Sequence, residues 1–207
     1  VANDGCPSRP ITEHFWSCPI GIMECCGGNG SRALYHIWKN ILHYKDGQLQ
    51  INFLLNRASK WADVDSFIPY TGQVDIQVKE VLKQVSVRVP QWIEQGSEGV
   101  SCTINDKPAK LTWNGRYVDL GAAQKGDKIS LTFPIEETII RRKVYGSPHD
   151  TVIGGYEYEW LVFKGNTVVD IDPPGKNYPY YQRSYYRVSE PRWRKVQRFI
   201  PDQIIDW

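Results

Sequence analysis

The residues best suited to chemistry are two adjacent thiols, Cys25 and Cys26, in the run Glu24-Cys25-Cys26-Gly27-Gly28-Asn29-Gly30-Ser31-Arg32. They stand a few residues before a stretch that reads as a helix. A thiol at that place feels the positive end of the helix dipole, which favours thiolate and lowers the thiol pKa. A thiolate binds metal or attacks carbon. Cys18 and Glu24 are near enough in sequence to sketch a partial zinc site, but the spacing is not the C-x2-C pair of a structural zinc finger. Four ligands cannot be assembled from this stretch. The competing reading has both residues as free cysteines packed as small hydrophobes ahead of a core helix. The chain has five Cys, an odd number, and neighbouring cysteines are too strained to bridge readily, so reduced thiols or a metal fit better than a disulfide framework.

Other candidates carry less. The glycine-rich run invites a phosphate-loop reading, but the Lys-Ser or Lys-Thr that would follow is missing. His14, His36, His43 and His149 show no ligand spacing and read as structural residues. Asn29-Gly30-Ser31 is a glycosylation sequon on paper and reads as coincidental. Asp63, Asp65, Glu136, Glu137, Glu157 and Glu159 all suit solvated surface groups, so no acid and base pair can be picked out. In Trp61-Ala62-Asp63 an aromatic ring and a carboxylate stand side by side in a loop. That pairing suits contact with a sugar, although a core Trp is the plainer reading.

The elements that would position these residues follow from periodicity. Leu34, Ile37, Trp38, Ile41 and Leu42 recur at helical spacing, with Ser31 to cap the start and Gly47 to end the helix. Ile37, Trp38 and Ile41 are expected to pack inward, because an apolar stripe on a lone helix needs a partner surface. Residues 1 to 30 read as loop. After Gly47 the period falls to two, in Gln48–Phe53, 74–78 and 85–89, and the last of these puts Val85, Val87 and Val89 on one buried face with Ser86 and Arg88 on the other. Residues 101–104 and 109–113 flank Asn105-Asp106-Lys107-Pro108 as a hairpin, and 117–120 and 129–133 supply two more strands. The expected fold class is mainly β. It has three parts: residues 1–47 with the Cys-Cys loop and the helix, an antiparallel β-sandwich over 48 to about 145, and a second β segment with a tail over 146–207.

Composition narrows the function classes. In 207 residues, 41% are hydrophobic, yet no apolar run approaches the roughly 18 residues of a membrane helix, so no membrane partner is expected. Net charge is +2, with Lys and Arg mixed among Asp and Glu, so nucleic acid is not expected either. Eight Trp and twelve Tyr beside a single Met suit either an all-β core or a surface on which sugar rings stack. The opening Val-Ala-Asn-Asp has neither an initiator Met nor the features of a signal peptide, and the expectation is the tail of a larger protein.

The run Cys25 to Leu34, with Asn56-Arg57-Ala58-Ser59, Val87-Arg88-Val89-Pro90-Gln91-Trp92, Ile104-Asn105-Asp106-Lys107-Pro108 and Asp127-Lys128-Ile129-Ser130-Leu131, resembles glycoside hydrolase family 127, the β-L-arabinofuranosidase-like proteins. The likeness spans most of the chain from Cys18 onward. The adjacent cysteines are its specific part; the strand and hairpin motifs are common to many sandwiches. It implies that the helix is the last piece of an (α/α)6 barrel catalytic domain and that the sandwiches follow it. It also implies a glycan substrate, an L-arabinofuranoside or related sugar, with Cys25 as nucleophile and with Cys25 and Cys26 as ligands of a zinc ion. A Glu and another Cys far upstream would complete that site, and this chain has only 24 residues before the pair. The family's more usual C-C-P-P-N here reads Cys25-Cys26-Gly27-Gly28-Asn29.

Two other function classes compete. A carbohydrate-binding or structural sandwich would use its aromatic surface and keep its cysteines buried. A thiol redox module lacks the C-x2-C pair it would need.

Overall fold

The computed structural model describes residues 24–143, 157–172, 184–191 and 196–205, without the side chains of 24–28, 142–143, 157–160 and 172. Strands dominate, and the fold is mainly β as the alternation predicts. In chain order the elements are α1 Glu24–Asn40, β1 Leu42–Lys45, β2 Gln48–Ile51, β3 Arg57–Ala58, β4 Ala62–Ser66, β5 Gln73–Val78 and β6 Leu82–Arg88. There follow β7 Ser101–Ile104, β8 Lys107–Pro108, β9 Thr112–Asn114, β10 Tyr117–Ala123, β11 Lys128–Thr132, β12 Glu137–Lys143, β13 Glu157–Lys164, β14 Thr167–Asp172 and a 3-10 turn Ser184–Arg187.

The chain divides into two compact units, one of residues 33–135 with 190–207, the other of 1–32 with 136–189. In the first, a five-stranded sheet β1-β2-β6-β10-β9 and a six-stranded sheet β3-β4-β5-β11-β7-β8 bury one common core. Leu49, Ile51, Val85, Val87 and Val118 enter it from the five-stranded sheet, and Val64, Val74, Ile76, Ile129 and Leu131 from the six-stranded one. Each fully buried aliphatic side chain contributes about 1.5–3 kcal/mol. The expected face of Val85, Val87 and Val89 is buried, while Ser86 and Arg88 are half-buried on the opposite side. In the second unit β12-β13-β14 form an antiparallel sheet.

Several expectations change. The helix begins at Glu24, so residues 24–30 are helical instead of loop and Ser31 lies inside the helix. It ends at Asn40, and Leu42 opens a strand. Ile41 and Leu42 satisfy both a helical stripe and a two-residue alternation, which is why periodicity carried the helix too far. Asn52 decides the matter by donating from its backbone N–H to Ile41 O (2.8 Å) and from its amide to Asn40 O (3.0 Å). Gly47 ends no helix: with Asp46 it forms the two-residue turn of the β1–β2 hairpin, both at positive φ (52° and 87°), as a type I′ turn requires.

Of the predicted stripe, Ile41 is buried and Trp38 half-buried, but Leu34 is 70% and Ile37 43% exposed. Trp38, in the last turn of the helix, packs against the core, whereas the inward packing expected of Ile37 is not found. The hairpin of β7 is closed by β8, with Asn105 and Asp106 at positive φ, and Thr112–Asn114 pairs instead with β10 in the other sheet. One pairing is parallel where an antiparallel sandwich was expected, β2 with β6. The chain leaves the five-stranded sheet for β3, β4 and β5 and returns in the same direction, the crossover that a parallel pair needs. The two larger sheets take their strands from Leu42 to Thr132, and Glu137–Lys143 pairs in the third sheet. Among the described residues no helix is long and apolar enough to cross a membrane.

Candidate functional site

Cys25 and Cys26 occupy the first turn of α1, directly after Glu24. The first-turn amides of a helix lack intrahelical partners, and their dipoles sum to a partial positive charge there. Starting the helix at Glu24 therefore moves the pair from the approach into the first turn itself. Cys102 makes the contrast. It is buried on β7, and burial pushes its thiol up to about 11, which leaves it a small hydrophobe without nucleophilic use.

The described residues do not complete a metal site. Among them no three of His, Cys, Asp and Glu gather around one point. His36 and His43 are exposed, while Cys18, His14 and His149 lie outside the described residues.

The carboxylates weighed as acids or bases are mostly engaged. Asp63 takes the Lys79 ammonium at 2.6 Å, Asp65 is paired with Arg198, and Glu137 accepts Arg187 through both oxygens at 2.8 and 2.7 Å. Those hydrogen bonds hold the Glu137 carboxyl below its ordinary value. Glu136 is exposed, and the side chains of Glu157 and Glu159 lie outside the described residues. No acid and base pair emerges from the described carboxylates.

Trp61, weighed for sugar contact, and two further tryptophans are engaged by the protein itself. Trp61 stacks on Tyr44 with centroids 4.5 Å apart and planes 14° apart, and the Lys60 ammonium lies 5.0 Å from its ring centre. Trp38 carries the Arg57 guanidinium 3.7 Å from its centroid. Trp92 donates its indole N–H to Pro134 O at 3.1 Å. The Asn56 to Ser59 motif likewise does structural work, since the Asn56 side chain accepts the Ser66 N–H (2.7 Å) and Ser59 Oγ accepts the Ala62 N–H (2.9 Å).

The sequence reading missed three charged residues that organise the structure. Lys164 is buried on β13 and donates to Arg187 O at 3.0 Å and Val188 O at 3.1 Å, with desolvation lowering its pKa. Arg187 joins Glu137 of β12 to Asp170 of β14, and Arg198 reaches β4. Their partners are distant in sequence, so no local pattern signals them.

No family model matches the chain, and no curated protein matches it by sequence. Solved structures do. A GH127 β-arabinofuranosidase superposes with a TM-score of 0.51 at 16% identity, over 70% of this chain and 26% of that one. The chain shares the fold of that piece of the enzyme. A GH127 β-L-arabinofuranosidase from Geobacillus stearothermophilus T6 gives a TM-score of 0.47 at 19% identity, over 77% of this chain and 26% of that one. A glycoside hydrolase gives 0.49 at 17% identity, over 70% and 25%. The chain thus spans about a quarter of the length of the solved structures it matches.

Proposed function

We propose that the chain is the C-terminal part of a retaining glycosidase that hydrolyses L-arabinofuranosides or related sugars, with Cys25 as nucleophile. The observation that carries this reading is the Cys25-Cys26 pair in the first turn of the helix that leads into the sheets. The shared fold with a piece of a GH127 β-arabinofuranosidase supports it.

The donor set fits half of a zinc site. Two soft thiols at consecutive positions suit the metal, which takes about four ligands, so Cys25 and Cys26 would hold it together with groups from elsewhere in the full-length protein. Bound zinc would keep sulfur as thiolate at neutral pH. The Cys25 thiolate attacks the anomeric carbon, forming a C–S bond as the C–O bond to the leaving group breaks, and an acid gives the leaving oxygen its proton. Water then displaces the sulfur from the opposite side, giving a proton to the conjugate base of that acid, which restores both the thiolate and the acid. Two inversions at one carbon give net retention.

The 207-residue chain by itself is expected not to turn over substrate, because it offers two thiols and no identified acid. The test is made in the full-length protein with an aryl L-arabinofuranoside. Cys25→Ser should abolish hydrolysis without unfolding the protein, and Cys26→Ser should lower both zinc content and activity. Near-normal turnover by Cys25→Ser, or hydrolysis by the chain unaided, would overturn the proposal.

A further inference from the structure

The outer edge of β4 is closed by side chains. β3 is only two residues long and pairs through Arg57 with Val64 and Ala58 with Asp63. Alternate residues of a strand present their N–H and C=O groups to the same side. Ala62, Val64 and Ser66 therefore share one edge. Ser59 Oγ takes both backbone groups of Ala62, at 2.9 and 2.6 Å, and Asn56 takes the Ser66 N–H. Between them Arg198 donates to Val64 O at 2.9 Å from 134 residues further along the chain.

The other arm of the same guanidinium pairs with Asp65. Asp65 stands in register directly opposite Asp75 on β5, an arrangement that like charges disfavour. Asp75 is held by Ser130 Oγ at 2.7 Å, by the Gln73 amide at 2.9 Å and by the Lys128 ammonium at 3.4 Å, and Arg198 supplies the cation for Asp65. Toward its end the same segment is fixed again, since Tyr35 OH on α1 donates to Ile205 O at 2.7 Å. Hydrophobic burial does little of this work: Phe199 is 75% exposed, and Val196, Ile200 and Ile205 are exposed as well.

We infer that residues 196–205 form an ionic brace, clamped by Arg198 to β4 and by Tyr35 to the helix, which opens as a unit when the Arg198–Asp65 pair is broken. The inference is independent of the proposed activity. Because the pair is partly exposed, the clamp weakens in salt as the Debye length falls from about 10 Å at 0.1 M to about 3 Å at 1 M.

Backbone 15N relaxation of the 207-residue chain tests this. At low salt the order parameters of 196–205 should stand near 0.8, and they should fall below about 0.6 in Asp65→Ala and in the unaltered chain at 1 M salt. Tyr35→Phe should loosen residues 203–205 while leaving 198 ordered. Order parameters already below about 0.6 at low salt, or unchanged in Asp65→Ala, would overturn the inference. If Asp65→Ala disturbs the sheet itself, the Tyr35→Phe and salt series decide: a segment ordered throughout both is not an ionic brace.

Discussion

The guanidinium carbon of Arg57 lies 3.7 Å from the centre of the Trp38 ring. Arg57 is buried on β3, and its Nη1 donates to Ala58 O at 2.6 Å. Burial lowers its pKa, so the ring face is part of what makes the buried cation tolerable. Trp38→Ala removes that face along with a helix side chain that packs against the core. It should cost about 2 kcal/mol of stability, read as a lower denaturation midpoint of the 33–135 unit, whereas Trp38→Phe should retain much of it.

The alternation along β6 separates two substitutions. Val87 is fully buried between Ile51 and Val118 in register, and Arg88 is half-buried on the other face. Val87→Ala should destabilise by about 1–3 kcal/mol through lost burial and the residual cavity, and Arg88→Ala by less than about 1 kcal/mol. Urea denaturation of both variants measures the difference.

The second unit should show a pH dependence centred on Glu137. Arg187 hydrogen bonds depress its carboxyl pKa in the folded state, so between the folded and unfolded values the unfolded chain binds more protons. The contribution is present above the ordinary carboxylate pKa and is lost as pH falls through the depressed folded value. NMR titration of Glu137 should show this, and Arg187→Ala should return its pKa toward the ordinary value.

Much of the fold was legible because burial writes a period into a strand. Val85, Val87 and Val89 announce a buried face, and Asn105-Asp106 announces a turn that the positive φ values support. The helix was misplaced at both ends for physical reasons. Gly27, Gly28 and Gly30 argue locally against helix, and Ile41-Leu42 fits either period. Arg198 and Lys164 were not legible, since a clamp between distant segments leaves no trace in neighbouring residues.

The early start of α1 gives its own test. A Cβ added at Gly30 would meet no atom within 4 Å, so nothing there demands glycine. Gly30→Ala should stabilise the helix by about 0.5–1 kcal/mol, seen as higher helical circular dichroism on warming. Gly72→Ala should do the opposite, because its Cβ would sit 1.9 Å from Phe133 O. A loss of stability at Gly30 would place the helix start nearer Ser31.

The assignment of Cys25 rests most directly on finding the bond it is said to form. The full-length protein would be quenched in acid during turnover of a slow aryl L-arabinofuranoside, digested, and sequenced by mass spectrometry. The expected result is one pentose residue attached to Cys25, absent from Cys25→Ser, with Cys102 unmodified. A pentose carried on an Asp or Glu, with Cys25 free while turnover proceeds, would contradict it.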